Sequence, residues 1–200
     1  SADFGDLTTN SNAAGAVASS TRAVRGGGNG STPKIIDFVT ISSRGNAANF
    51  GDLTVDHLSG LAGCGSSTRG LIAGGNISSG HSNVIQYVTI ASEGDATDFG
   101  NLATERSHPA SFSSTTRGVW AGGNPTGSST SDTIDYVTIA NTGNTADFGN
   151  LSAARDNQTG ASSATRGLIC CGKDAGGNNL NTIEFVTIAN TGNTTDFGDQ

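Results

Sequence analysis

Four arginines, Arg22, Arg69, Arg117 and Arg166, each close a short hydroxyl-rich run: SSTR (19–22), SSTR (66–69), STTR (114–117) and SATR (163–166). A guanidinium presents a planar fork of donors, so a repeated arginine suits either an anion site or a bidentate tie to a carboxylate. Carboxylates recur in step with it, as Asp3, Asp98, Asp147 and Asp196, with Asn49 in the remaining copy. The preferred expectation is structural: Arg22, Arg69, Arg117 and Arg166 bonded to partners such as Asp98 and Asp147. A second column falls on Ser11, His57, Arg106 and Arg155, and Lys34, His81 and Lys173 lie in nearby loops. Lys34, His57, His81, Arg106, Arg155 and Lys173 therefore form the candidate ligand-binding set, fitted to a polar ligand such as a glycan or a receptor surface.

Other chemistry finds little support. The three histidines, His57, His81 and His108, share no HExxH arrangement, and no G-x-S-x-G nucleophile motif occurs. The Asp-Phe-Gly-Asp steps lack the alternating ligands and terminal Glu of a calcium loop. Cys64, Cys170 and Cys171 have no metal-ligand spacing and read as small residues in tight places. No metal, cofactor or catalytic residue is expected, and the chain is read as a non-enzyme.

The elements that hold these residues repeat. Thr40, Thr89, Thr138 and Thr187 are 49 residues apart, and Phe4, Phe50, Phe99, Phe148 and Phe197 mark five Phe-Gly steps. Each unit has four short segments. The first is poor in bulk, such as AAGAVASS (13–20) and SGLAGCGSS (59–67). The second is RGLIAGG (69–75), RGVWAGG (117–123) or RGLICCG (166–172), with a deviant RAVRGGG (22–28). The third is IDFVTI (36–41), IQYVTI (85–90), IDYVTI (134–139) or IEFVTI (183–188). The fourth carries TDFGNL (97–102) and its relatives. β-Branched and aromatic runs between Gly/Asn-rich turns are strands, and no helical periodicity appears.

Four strands in each of four units predict an all-β, four-bladed β-propeller of four antiparallel strands per blade, over 1–200 as a single domain. The blades fall at approximately 7–53, 54–102, 103–151 and 152–200. Small residues in the first segment suit an innermost strand at a crowded axis. A linear solenoid is the competing architecture and would need capping units.

The Gly pairs (Gly27-Gly28, Gly74-Gly75, Gly122-Gly123) and the aromatic of the third strand (Phe38, Tyr87, Tyr136, Phe185) resemble the kelch repeat family. Phe stands where that family would place Trp on the fourth strand, and Cys171 replaces one Gly of the last pair. The wording DFGDL…SSTRG…GG…IDYVTIA also resembles tandem-repeat proteins of marine tailed phages and environmental genomes. That second resemblance implies a structural protein of a virion or cell surface. The chain has no methionine, from which a segment processed or cut from a longer array is expected.

Composition sets the outer limits. Gly is 30 of 200 residues, charged residues are 14%, and the net charge is −7. An acidic chain without a basic patch does not suit nucleic acid, and no apolar run is long enough for membrane insertion. Between copies, the turns joining first to second and third to fourth strands vary little. The loops joining second to third strand, 29–35, 76–84, 124–133 and 173–182, differ in length and residues, as do the connections between blades. Variable loops on one face of a rigid ring are where a binding function would sit. The expected function is therefore a non-catalytic structural or assembly module, extracellular or virion-associated, monomeric or part of a larger assembly. The alternative is a lectin-like module using those loops.

Overall fold

A computed structural model describes residues 2–125 and 130–199. All regular elements among them are strands, and sixteen form four antiparallel sheets. The first blade holds β1 (Gly15–Ala18), β2 (Arg22–Gly26), β3 (Ile35–Thr40) and β4 (Ala48–Asp52). The second holds β5 (Ala62–Gly65), β6 (Arg69–Ala73), β7 (Val84–Thr89) and β8 (Thr97–Asn101). The third holds β9 (Ala110–Ser113), β10 (Arg117–Ala121), β11 (Ser131–Thr138) and β12 (Ala146–Arg155). The fourth holds β13 (Thr159–Ser162), β14 (Arg166–Cys170), β15 (Thr182–Thr187) and β16 (Thr195–Asp199). Each sheet is a meander in chain order. This is a four-bladed β-propeller.

The innermost strands surround the axis, and two openings of 360 and 230 Å³ are lined by all four of them or their turns. Neighbouring strands approach closely there. A Cβ on Gly63 would lie 2.3 Å from the Ala16 carbonyl oxygen, and one on Gly160 would lie 2.3 Å from that of Ser111. Small residues in this segment are thus required by backbone-to-backbone contact.

The core is divided into three joints, each between successive blades. Val17, Val24, Ile36 and Phe50 of the first blade meet Ile72, Val88 and Ile90 of the second. Leu71, Ile85 and Phe99 meet Trp120, Val137 and Ile139. Phe112, Val119, Ile134 and Phe148 meet Ile169, Val186 and Ile188. Trp120 is fully buried and its indole N–H points at the Ala62 carbonyl, 3.4 Å away, so it is core. Between the fourth and first blades, β13 and β1 do not pack as β1 with β5, β5 with β9 and β9 with β13 do. The ring has a seam.

Candidate functional site

The variable face is built by short ladders between each inter-blade connection and the loop after the second strand. Ser11 and Asn12 pair with Gly30 and Asn29, Ser59 with Asn76, Ser107 with Asn124 and Asp156 with Lys173. This places both sets of variable segments on one face. The loop 124–133 was part of the expected site, and its residues 126–129 lie outside the described residues.

On that face the expected ligand-binding residues separate into two groups. His57, Arg106 and Arg155 are not presented to ligand: all three are buried. Arg106 pairs with Asp135 and donates to the carbonyls of Gly122 (3.1 Å) and Thr133 (3.2 Å). Arg155 donates to Glu184 Oε2 at 2.6 Å. His57 Nε2 lies 2.9 Å from Gln86 Nε2. The reason is the position just before the aromatic of the third strand. Asp37, Gln86, Asp135 and Glu184 occupy it in the four blades, and all are buried. A polar group buried in a sheet interior needs a partner, and the inter-blade connection supplies it.

The first blade solves the same problem differently. Its connection carries Ser11 instead of a base, and Arg25 stands where other blades have Ile72, Trp120 and Ile169. Arg25 donates to Asp37 Oδ2 (2.8 Å), Ser11 Oγ (2.9 Å) and the Gly27 carbonyl (2.6 Å). The deviant RAVRGGG segment is a relocated cation. Thr8, Thr54 and Ser152 complete the sites in their blades by donating to Asp37, Gln86 and Glu184. The signal for this was in the sequence: one polar residue inside each β-branched IxxVTI run, matched by one His or Arg per unit.

The electrostatics follow from burial. His57 is lowered to about 4, chiefly by loss of solvent, with Asp56 opposing. Burial pushes Arg106 down and Asp135 up from their ordinary ranges, and their mutual attraction opposes both shifts. Cys64 is pushed up to about 12 by burial, which makes it an inert thiol.

Lys34, His81 and Lys173 remain at the surface or half-buried. Lys34 makes a loose 3.9 Å pair with Asp56, and Nδ1 of His81 is buried without a hydrogen-bond partner. Lys173 borders a 170 Å³ cleft with Asn124, Thr130, Asp156 and Asp174. Burial lowers His108 from the ordinary histidine range, with Asp156 opposing. The six expected residues thus do not converge on one site.

The arginine column also differs from expectation. Arg22, Arg69, Arg117 and Arg166 lie 4.3–4.5 Å over the rings of Phe38, Tyr87, Tyr136 and Phe185. Those rings meet Phe50, Phe99, Phe148 and Phe197 edge-on at 5.8–6.1 Å. Asp98 and Asp147 are exposed, and among the described residues neither pairs with these arginines. The third strand lies between them, so arginine and aspartate are separated by two strand spacings, about 10 Å. The guanidinium instead reaches the next blade's backbone. Arg22 donates to the carbonyls of Ile90 and Ala91 (3.3 and 3.2 Å), Arg69 to those of Ile139 and Ala140 (2.8 and 3.0 Å), and Arg117 to that of Ile188 (2.9 Å). Arg22 adds Glu93 of the second blade at 3.3 Å. Arg22, Arg69 and Arg117 are inter-blade ties, through carbonyls.

The fold and this pattern of ties define a four-bladed β-propeller in which arginines of three blades reach the backbone of the next. No protein-family model matches the chain, and no curated protein matches it. Among the described residues no helix is long and apolar enough to cross a membrane, and no group of three or more His, Cys, Asp or Glu side chains could hold a metal ion.

Proposed function

We propose that the chain is a non-catalytic structural module, a kelch-like repeat unit of a surface or virion particle whose partners are other protein surfaces. One observation carries this reading. Among the described residues, the large apolar side chains left exposed are Phe4, Leu7 and Ile41 on the first blade's side of the seam and Phe197 on the fourth blade's side. Large apolar side chains left in water on an otherwise polar module mark an association site. The inter-blade ties and buried charge pairs supply the rigidity such a part requires.

A second reading, glycan or receptor binding, rests on the cleft between Lys173, Asp174, Asp156 and Asn124 on the variable face. A glycan-array screen of the purified chain separates the two. The structural reading expects silence. A defined sugar that binds, and ceases to bind after Lys173→Ala, would replace it with a lectin-like function.

A further inference from the structure

The three inter-blade joints are near-copies of one another, which makes the two faces of the seam readable. At each joint the fourth strand of one blade receives a turn from the next. Gly94 N–H donates to the Phe50 carbonyl, Gly143 to Phe99 and Gly192 to Phe148, all at 2.7 Å. A Cβ on Gly51, Gly100 or Gly149 would lie 2.2–2.4 Å from the facing glycine's carbonyl oxygen. A residue from the innermost strand also enters a gap left by glycine on the next blade: Val17 against Gly70, Cys64 against Gly118, Phe112 against Gly167.

Both halves of a fourth such joint exist in the chain, and they are not mated to each other. The fourth blade offers Phe197, 54% exposed where Phe50, Phe99 and Phe148 are 1–3% exposed. Nothing lies within 4 Å of a Cβ on Gly198, and among the described residues Arg166 reaches no carbonyl of a following blade. The first blade offers Ile41, 44% exposed where Ile90, Ile139 and Ile188 are 1–3% exposed. It also offers a 180 Å³ groove lined by Ala16, Ala23, Phe38, Val39 and Ala47. The sizes match as they do elsewhere, with the roles softened: Ala161 stands in the Val17/Cys64/Phe112 column and Ala23 in the Gly70/Gly118/Gly167 column.

The receiving turn is already occupied. Gly45 N–H donates to the Phe4 carbonyl at 2.9 Å and Ala47 N–H to that of Asp6 at 2.8 Å. Asp6 N–H donates to Asn46 Oδ1 at 3.0 Å. Residues 2–6, ADFGD, therefore hold the place that a preceding fourth strand would take, and β16, TDFGD, carries the same four residues after its first. One place has two tenants of nearly one sequence.

We propose that β16 and the outgoing face of the fourth blade dock on the first blade of a second copy of this chain, displacing residues 2–6. The exchange replaces each hydrogen bond by an equivalent one and adds the apolar contact of Ile41 and the groove. A second copy is favoured over closure within one chain because β13 and β1, unlike the other three neighbouring pairs of innermost strands, do not pack together, so the two halves do not meet within the chain. Such a head-to-tail interface uses two different surfaces, so it propagates into a larger ring or a filament. The inference rests on the structural reading, and the two fail separately: the glycan array decides that reading, and solution mass decides this one.

The test is sedimentation equilibrium of the full chain over a wide concentration range, with variants placed outside the folded joints. Wild-type mass should rise with concentration. Ile41→Lys should weaken association at least tenfold. Gly5→Val should strengthen it at least tenfold, because its side chain would meet the Gly45 carbonyl oxygen 2.3 Å from the Cβ position and evict residues 2–6. Ala161→Phe should weaken association, and adding Ala23→Gly should restore it. A Gly5→Val chain that stays monomeric at every concentration, including one that becomes more compact by closing its own seam, would overturn the proposal. So would association indifferent to Ile41→Lys.

Discussion

Truncating Arg155 to alanine gives the most direct measure of the buried ties. Arg155 and Glu184 side chains are each 1% exposed, and their 2.6 Å contact is charge-assisted. The substitution leaves the Glu184 carboxylate with the Ser152 N–H and hydroxyl as donors and no cation. Removing one partner of a buried pair costs about 3–5 kcal/mol. That is a large fraction of the roughly 5–15 kcal/mol that stabilises an ordinary domain. For a chain of this size it corresponds to a fall in Tm of roughly 6–20 °C. Urea unfolding followed by Trp120 fluorescence measures it, with Arg155→Met/Glu184→Leu as the control. Replacing both charges by apolar groups of similar volume should be close to neutral. A single-variant loss below about 1 kcal/mol would refute the reasoning, since that is the range of solvated surface pairs. A double variant as damaged as the single one would refute it equally.

His57 supplies a pH prediction. Its folded pKa of about 4 lies below the ordinary 6.5 of a histidine, so the unfolded chain takes up a proton that the folded chain refuses. Stability should be intact above pH 6.5 and fall by roughly 1.4 kcal/mol per pH unit below it, approaching about 3 kcal/mol near pH 4. A His57→Gln variant should lose most of that slope between pH 6.5 and 5 in denaturant titrations. Gly100→Ala and Gly198→Ala share a positive φ, 146° and 136°, but only the first brings a Cβ within 2.2 Å of a neighbouring blade's carbonyl oxygen. Gly100→Ala should therefore be the more destabilising by at least about 2 kcal/mol by urea unfolding, as an overpacked contact is. Cys171 sits at φ 62° in the column of Gly27, Gly74 and Gly122, so Cys171→Gly should stabilise the fold by about 1 kcal/mol, read as a higher Tm.

The propeller was legible because the 49-residue spacing sets strand number and the β-branched runs set strand type. Bulk-poor first segments located the axis correctly, since backbone contact at Gly63 and Gly160 leaves no room for side chains. Arg106 and Arg155 were misread because a charged residue in a variable connection looks exposed unless its partner is found. That partner, the single polar residue within each IxxVTI run, was visible but was not matched to them. The Arg-to-Asp ties failed because sequence alternation does not say which strand lies between two columns. The seam was hardest to foresee. Five Phe-Gly steps against four of every other segment were countable, yet which blade each one served depended on the hydrogen bonds of Gly45 and Ala47.

The buried column has one more consequence, for how similar units are kept from being confused. Near-identical repeats invite exchange of equivalent segments during folding, because a strand from one unit fits its neighbour's place. Here each unit carries its own lock: Arg25 with Asp37, His57 with Gln86, Arg106 with Asp135, Arg155 with Glu184. A connection bearing Arg106 delivered to the Gln86 site would bury a cation without its anion, and His57 delivered to Asp135 would leave a carboxylate facing a neutral imidazole. The second unit therefore carries an address different from that of the third at the least forgiving depth of the sheet, where solvent cannot soften a wrong pairing, whereas the third and fourth units share an Arg–carboxylate pair.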